Sequence, residues 1–162
     1  MKWPLFSALA LAASGIIYAS GSHSHDHKST EKEASAHSQW MTNFEKAKAL
    51  SKKTKKPILI DFTGSDWCGW CIRLDEEVFS KDAFKDYAKK NLVLLEIDFP
   101  RRKAIDADTK AQNEALAQKY GIRGFPTILL TDHKGEVIET TGYQQGGAKA
   151  YVKHIKGLLA KK

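Results

Sequence analysis

Cysteine is almost absent from the 162 residues, with only Cys68 and Cys71 present. Two cysteines three positions apart close too small a loop to staple a fold, so a disulfide-stabilised mini-domain is excluded. Long apolar runs are also missing. Only Leu5 to Tyr18 approaches the length of a membrane-spanning helix, which excludes a multi-span membrane protein. There is no internal repeat. Acidic residues are outnumbered, 19 against 26 Lys and Arg, for a formal charge of +7. That excess permits weak attraction to acidic surfaces but defines no partner. What is there is ordinary for a folded chain: 42% hydrophobic and 28% charged residues. This length predicts one domain with appendages, and the composition excludes a wholly disordered chain.

The appendages lie at the N-terminus. Lys2 is the only charge before Asp26, an apolar stretch follows it, and Ala19, Ser20 and Gly21 close the segment. This pattern predicts a secretory signal peptide over residues 1–21, cleaved after Ala19 or Gly21. No cysteine follows the run directly, which rules out a lipid-modified cysteine anchor. The expected location is therefore periplasmic, in an oxidising compartment where thiols are conspicuous. Residues 22–39 are rich in His and Ser and read as a disordered linker. His23, His25 and His27 with Asp26 could hold a transition metal loosely, but a solvated polar tether accounts for them more simply.

From residue 40 onward the pattern is that of a folded domain, 40–162. Phe44, Ala47 and Leu50 predict a helix over 42–54. Its end carries Lys52, Lys53, Lys55 and Lys56, read as a solvated helix terminus rather than a nucleic-acid patch, and no nucleic-acid partner is expected. Ile58 to Phe62 predicts a buried strand, and a helix should run from the cysteines to Val78. Ser80 is the expected cap of a helix over 81–90. Leu92 to Asp98 reads as a strand and Arg101 to Tyr120 as helical. Thr127–Thr131 and Glu136–Thr141 form an expected hairpin, and a last helix begins near Ala148. The order predicts an α/β fold with a central mixed sheet flanked by helices on both faces.

The chemistry lies in Trp67-Cys68-Gly69-Trp70-Cys71. Two thiols one turn apart at a helix start can cycle between dithiol and disulfide. The unpaired N–H groups and partial positive charge of the helix terminus favour the thiolate of Cys68. Cys68 would attack a substrate disulfide, and Cys71 would then resolve the mixed disulfide. A zinc site needs about four ligands. There is no second cysteine pair, and beyond residue 40 only His133 and His154 could contribute. No metal and no other cofactor is expected. Asp61 interrupts an apolar strand. It is either a water-facing strand end or a buried carboxylate that takes the proton of Cys71.

Tyr120-Gly121-Ile122-Arg123-Gly124-Phe125-Pro126-Thr127 follows the motif at a distance and leads into a strand. Together with Trp-Cys-Gly-x-Cys and Lys134-Gly135-Glu136-Val137, it resembles segments of the thioredoxin superfamily, over roughly residues 40–162. The resemblance implies a thioredoxin fold and a cis peptide bond before Pro126, facing the cysteines. It implies substrate contacts from Trp67, Gly69, Trp70, Phe125 and Pro126. It also implies a catalytic role for Asp61 beside Cys68 and Cys71. The family's lysine partner for that Asp aligns with Leu94, so the pair is expected to be missing. Leu74 to Ser80 is similar to the periplasmic reductase branch that includes DsbH proteins and the C-terminal domains of DsbD. That likeness implies a reductase of disulfides in exported proteins, fed by a membrane electron donor of the DsbD type. An oxidase or isomerase, a reductant dedicated to apocytochrome c, and a non-catalytic interaction module are the alternatives.

Overall fold

The computed structural model describes residues 39–161. The expected signal peptide, the expected linker up to residue 38 and the loose metal-binding reading of its histidines lie outside the described residues. Five strands and five helices follow in order: β1 (Trp40–Met41), α1 (Phe44–Thr54), β2 (Ile58–Thr63), α2 (Gly69–Leu74), α3 (Asp82–Asn91), β3 (Val93–Asp98), α4 (Ala107–Lys119), β4 (Thr127–Thr131), β5 (Val137–Thr141) and α5 (Gly147–Leu159). The sheet order is β1-β3-β2-β4-β5. β1, β3 and β2 run parallel, and β4 lies antiparallel to both β2 and β5. This is a mixed sheet with helices on both faces, as the sequence pattern predicts.

Strand periodicity divides the core. Ile58, Ile60, Phe62, Val93, Leu95, Ile97 and Leu129 meet Phe44, Ala47 and Leu116 of α1 and α4. Leu59, Leu94, Ile128 and Leu130 face the other way, onto Leu74, Phe84, Tyr151 and Ile155 of α2, α3 and α5. Asp61 shares the parity of Leu59, so its side chain is aimed at the layer that contains α2. Val93 to Ile97 sits in register with Ile58 to Phe62, which sets Glu96 directly beside Asp61.

Several local expectations change. α1 starts two residues late, because Asn43 caps it by accepting the Lys46 N–H at 2.9 Å. The strand β1 was not foreseen, since two residues are too few to show a period. The helix after the cysteines extends to Phe79, but Asp75–Phe79 is wound as a π-helical turn. Ser80 closes that turn. Its N–H donates to the Asp75 carbonyl at 2.9 Å and its hydroxyl to the Glu76 carbonyl at 3.1 Å, so it cannot cap α3. Lys81 holds the cap position with no side-chain bond. The helical reading of Arg101 to Tyr120 is too long. Residues 101–103 instead turn their N–H groups onto the Asp66 carboxylate, and α4 begins only after Asp106, which accepts the Thr109 N–H at 2.8 Å.

Candidate active site

The cysteines sit where β2 hands the chain to α2. Cys68 is the N-cap of α2, and its Sγ lies 3.3 Å from the Cys71 N–H. The pair is joined as a disulfide, with Cα atoms 5.2 Å apart. Cys68 is 7% exposed and Cys71 4%. The connection is a tight turn in which the Cys68 N–H donates to the Gly64 carbonyl at 2.8 Å. Gly64 is required there: a Cβ would stand 2.5 Å from the Trp67 indole. The indole is fixed by its own N–H, which donates to the Phe99 carbonyl at 2.7 Å.

Trp67 anchors one flank of the disulfide. The Phe125 ring meets it edge-on with centroids 5.8 Å apart, and the Phe99 ring lies 5.3 Å from Phe125. The Phe125–Pro126 bond is cis. The Arg101 guanidinium stacks over Trp67 at 3.7 Å. The backbone N–H groups of Arg101, Arg102 and Lys103 all donate to Asp66. Those bonds, the Arg101 bond foremost, hold the Asp66 carboxyl below its ordinary range.

The other flank is built on Trp70, which is 56% exposed. Its ring lies 5.2 Å from Tyr143 in the β5–α5 connection. Arg73 stands over both rings, at 5.5 and 5.7 Å. Glu77 ties the group together, accepting from the Tyr143 hydroxyl and from Arg73 Nε at 2.6 Å each. Those two bonds keep the Glu77 carboxyl below its usual range. Around Gly69 there is open space.

Behind Cys71 lies a cavity of about 460 Å³ whose walls include Asp61, Asp75, Glu76 and Glu96. Asp61 is 7% exposed, in mid-strand, which settles its position as a buried carboxylate rather than a strand end in water. Its Oδ1 has no hydrogen-bond partner among the described residues. Burial, then the nearby Glu96, Asp75 and Asp98 carboxylates, push its pKa well above the ordinary value. No lysine adjoins it in the sheet. The neighbouring strand offers Glu96, and Leu94 pairs with Leu59. Among the described residues no group of three or more His, Cys, Asp or Glu side chains is placed to hold a metal.

The structure thus gathers Trp67, Cys68, Gly69, Trp70, Cys71, Phe125, Pro126 and Asp61 around one disulfide. Sequence reasoning did not find Tyr143, Arg73, Glu77, Arg101 or Glu96. Only Glu96 left a signal, because pairing Leu92–Asp98 with Ile58–Phe62 in a parallel sheet could have set it beside Asp61.

A family model described as a thioredoxin-like domain matches residues 44–156. The chain is 35% identical over 126 residues to the disulfide bond reductase DsbH of Chlamydia pneumoniae, covering 78% of this chain and 75% of that protein. A solved structure of a DsbH oxidoreductase superposes with a TM-score of 0.72 at 32% identity, covering 89% of this chain and 97% of that one. The thiol:disulfide interchange protein DsbD of Vibrio vulnificus (strain CMCP6) is 32% identical over 111 residues, which is 67% of this chain but 17% of DsbD. Given this likeness and a redox pair at the start of α2, the chain belongs to the thioredoxin-like family and is a thiol–disulfide oxidoreductase of the DsbH and DsbD type.

Proposed function

We propose that the protein is a periplasmic reductase of disulfides in exported proteins. The observation that carries this reading is the placement of Cys68 Sγ on the Cys71 N–H at the start of α2, with Cys71 buried over an acid-lined cavity. The name of its 35% identical relative, a disulfide bond reductase, supports the direction of electron flow. The compact path from Cys71 to Pro126 argues against an architecture of the DsbA type, while the direction of electron flow is set by the potential. That path holds a π turn, α3, β3 and α4, without the large helical insertion expected of an oxidase of the DsbA type.

In the reduced protein the helix terminus favours the Cys68 thiolate. It attacks one sulfur of the substrate disulfide. A Cys68–substrate bond forms, and the other substrate sulfur leaves with the electron pair and takes up a proton. Cys71 loses its proton to Asp61 across the cavity and attacks Cys68 Sγ. The internal disulfide forms and the second substrate thiolate departs. Two electrons have moved from the protein to the substrate, and a membrane dithiol donor of the DsbD type returns them. Trp67, Trp70 and the Phe125–Pro126 backbone line the approach. Export follows from a cleaved signal peptide over residues 1–21, with residues 22–39 as tether.

The decisive measurement is the equilibrium reduction potential of the Cys68–Cys71 pair against a thiol buffer. A reductase gives a value of roughly −270 mV, the thioredoxin value; roughly −120 mV, the DsbA value, would make the protein an oxidase. Cys68→Ser abolishes insulin reduction, and Cys71→Ser accumulates mixed disulfides through Cys68. Undiminished turnover in the Cys68 variant would leave only an interaction module.

A further inference from the structure

The two flanks of the disulfide differ in charge. On the Trp70 side the guanidinium of Arg73 is engaged by Glu77, and Asp75 and Glu76 follow on the same turn. On the Trp67 side Arg101 lies over the indole, and the chain carries Arg102 next to it and Arg123 two residues before Phe125, all three exposed. Among the described residues none of these three is in an ion pair. Lys103 on the same loop is engaged by Asp98 at 3.0 Å. The one carboxylate turned onto the loop backbone is Asp66, and it is occupied by three successive N–H groups. That clamp fixes the loop before any substrate arrives, and Arg101 is held further by its stacking on Trp67. Trp67, beneath Arg101, packs edge-on against Phe125, which in turn meets Phe99.

We infer that this flank is a specificity surface for extended polypeptide segments carrying carboxylates next to the disulfide cysteine. The inference deepens the reductase reading and rests on it. The chemistry of recognition is charge complementarity beside an apolar cluster of mutually tilted rings. Guanidinium groups match carboxylates, and the aromatic rings cover the aliphatic part of a Glu or Asp neighbour. Like-charged basic segments are repelled from the same flank, so the surface discriminates in both directions. The effect falls mainly on the encounter rate, which makes it sensitive to salt.

The test is a single-turnover reaction of the pre-reduced protein with synthetic peptides. Each peptide carries one cysteine as its mixed disulfide with 2-mercaptoethanol, flanked by Glu, Gln or Lys. At low salt the Glu peptide reacts about tenfold faster than the Lys peptide, and the difference shrinks at 1 M salt. Replacing Arg102 and Arg123 together with Gln lowers the Glu-to-Lys ratio to about threefold, whereas Lys at both positions keeps it. Arg101 is left in place because its stacking supports Trp67. An undiminished ratio in the Gln variant, or a Lys peptide that reacts as fast as the Glu peptide in the unaltered protein, would overturn the inference. Glutathione disulfide reacting as fast as the Glu peptide would overturn the polypeptide assignment. Failure to reduce any peptide, and insulin as well, would remove the reductase reading itself; insulin reduction with equal peptide rates removes only the inference.

Discussion

Asp61 is the residue whose environment is most at odds with its chemistry. Its folded-state pKa lies above the ordinary 3.8, first because of burial and then because of three nearby carboxylates. The native protein therefore holds a proton on Asp61 over a pH range in which the unfolded chain has lost it. The contribution of Asp61 to stability is fully present below that range and is lost as pH rises from about 4 through the folded value. Asp61→Asn should remove this loss and raise the urea midpoint at pH 8. The same variant should slow release of mixed disulfides by about 100-fold, as expected for a lost proton acceptor. Equal pH slopes in urea titrations of the two proteins would disprove the first effect; unchanged release in quenched-flow would disprove the second. Gly64 gives a steric counterpart. Gly64→Ala drives a methyl into the Trp67 indole and should cost about 1–3 kcal/mol, with altered Trp fluorescence. The cysteines were legible from sequence because their chemistry is local, four residues on one helical turn. The tie between Glu77 and Tyr143 spans 66 positions and could not be read before the fold was known.

Elements were legible where a period or a breaker marks them. The β4 bounds match the expected Thr127–Thr131, because an apolar run ends at a tight turn. In that turn Asp132 Oδ1 accepts the Lys134 and Glu136 N–H groups, and Gly135 takes φ 85° beneath Phe44. Ends governed by side-chain choices were less legible. Asn43, Ser80 and Asp106 are all plausible caps by residue type, and only two of them cap a helix. Ser80 was drawn back to the Glu76 carbonyl, and the stretch after Pro100 was drawn to Asp66, both competitions that type alone does not settle. Asn43→Ala should therefore cost about 1 kcal/mol in chemical denaturation, by removing the α1 cap. Ser80→Ala should leave α3 helicity, followed by amide exchange, unaltered. A loss of protection in the first turn of α3 would restore the serine as its cap.

At the scale of the molecule, folding and redox chemistry are linked. If the pair is a donor of electrons, its disulfide form is the favoured one in the folded protein. The oxidised protein should then withstand more urea than the reduced protein, each 30 mV of potential corresponding to about 1.4 kcal/mol. A more stable reduced form would mark an oxidant. The apolar run Ile58 to Phe62 marked a buried strand, but its division into Ile58, Ile60 and Phe62 on one layer and Leu59 on the other became visible only in the fold. Nor did the pattern reveal β1. Trp40 and Met41 pair with Leu94 and Leu95, and the Trp40 ring rests on Phe79 at 5.1 Å. These two residues act as a selvedge on the sheet. A protein cut to begin at Phe44 would retain both thiols, Asp61 and the Phe125–Pro126 turn, yet expose raw backbone along β3 and bare aromatic surface beside it. Such a shortened form should self-associate in sedimentation runs where a form starting at residue 39 stays dispersed. The practical limit on trimming this enzyme is set by a two-residue hem far from its catalytic motif in sequence.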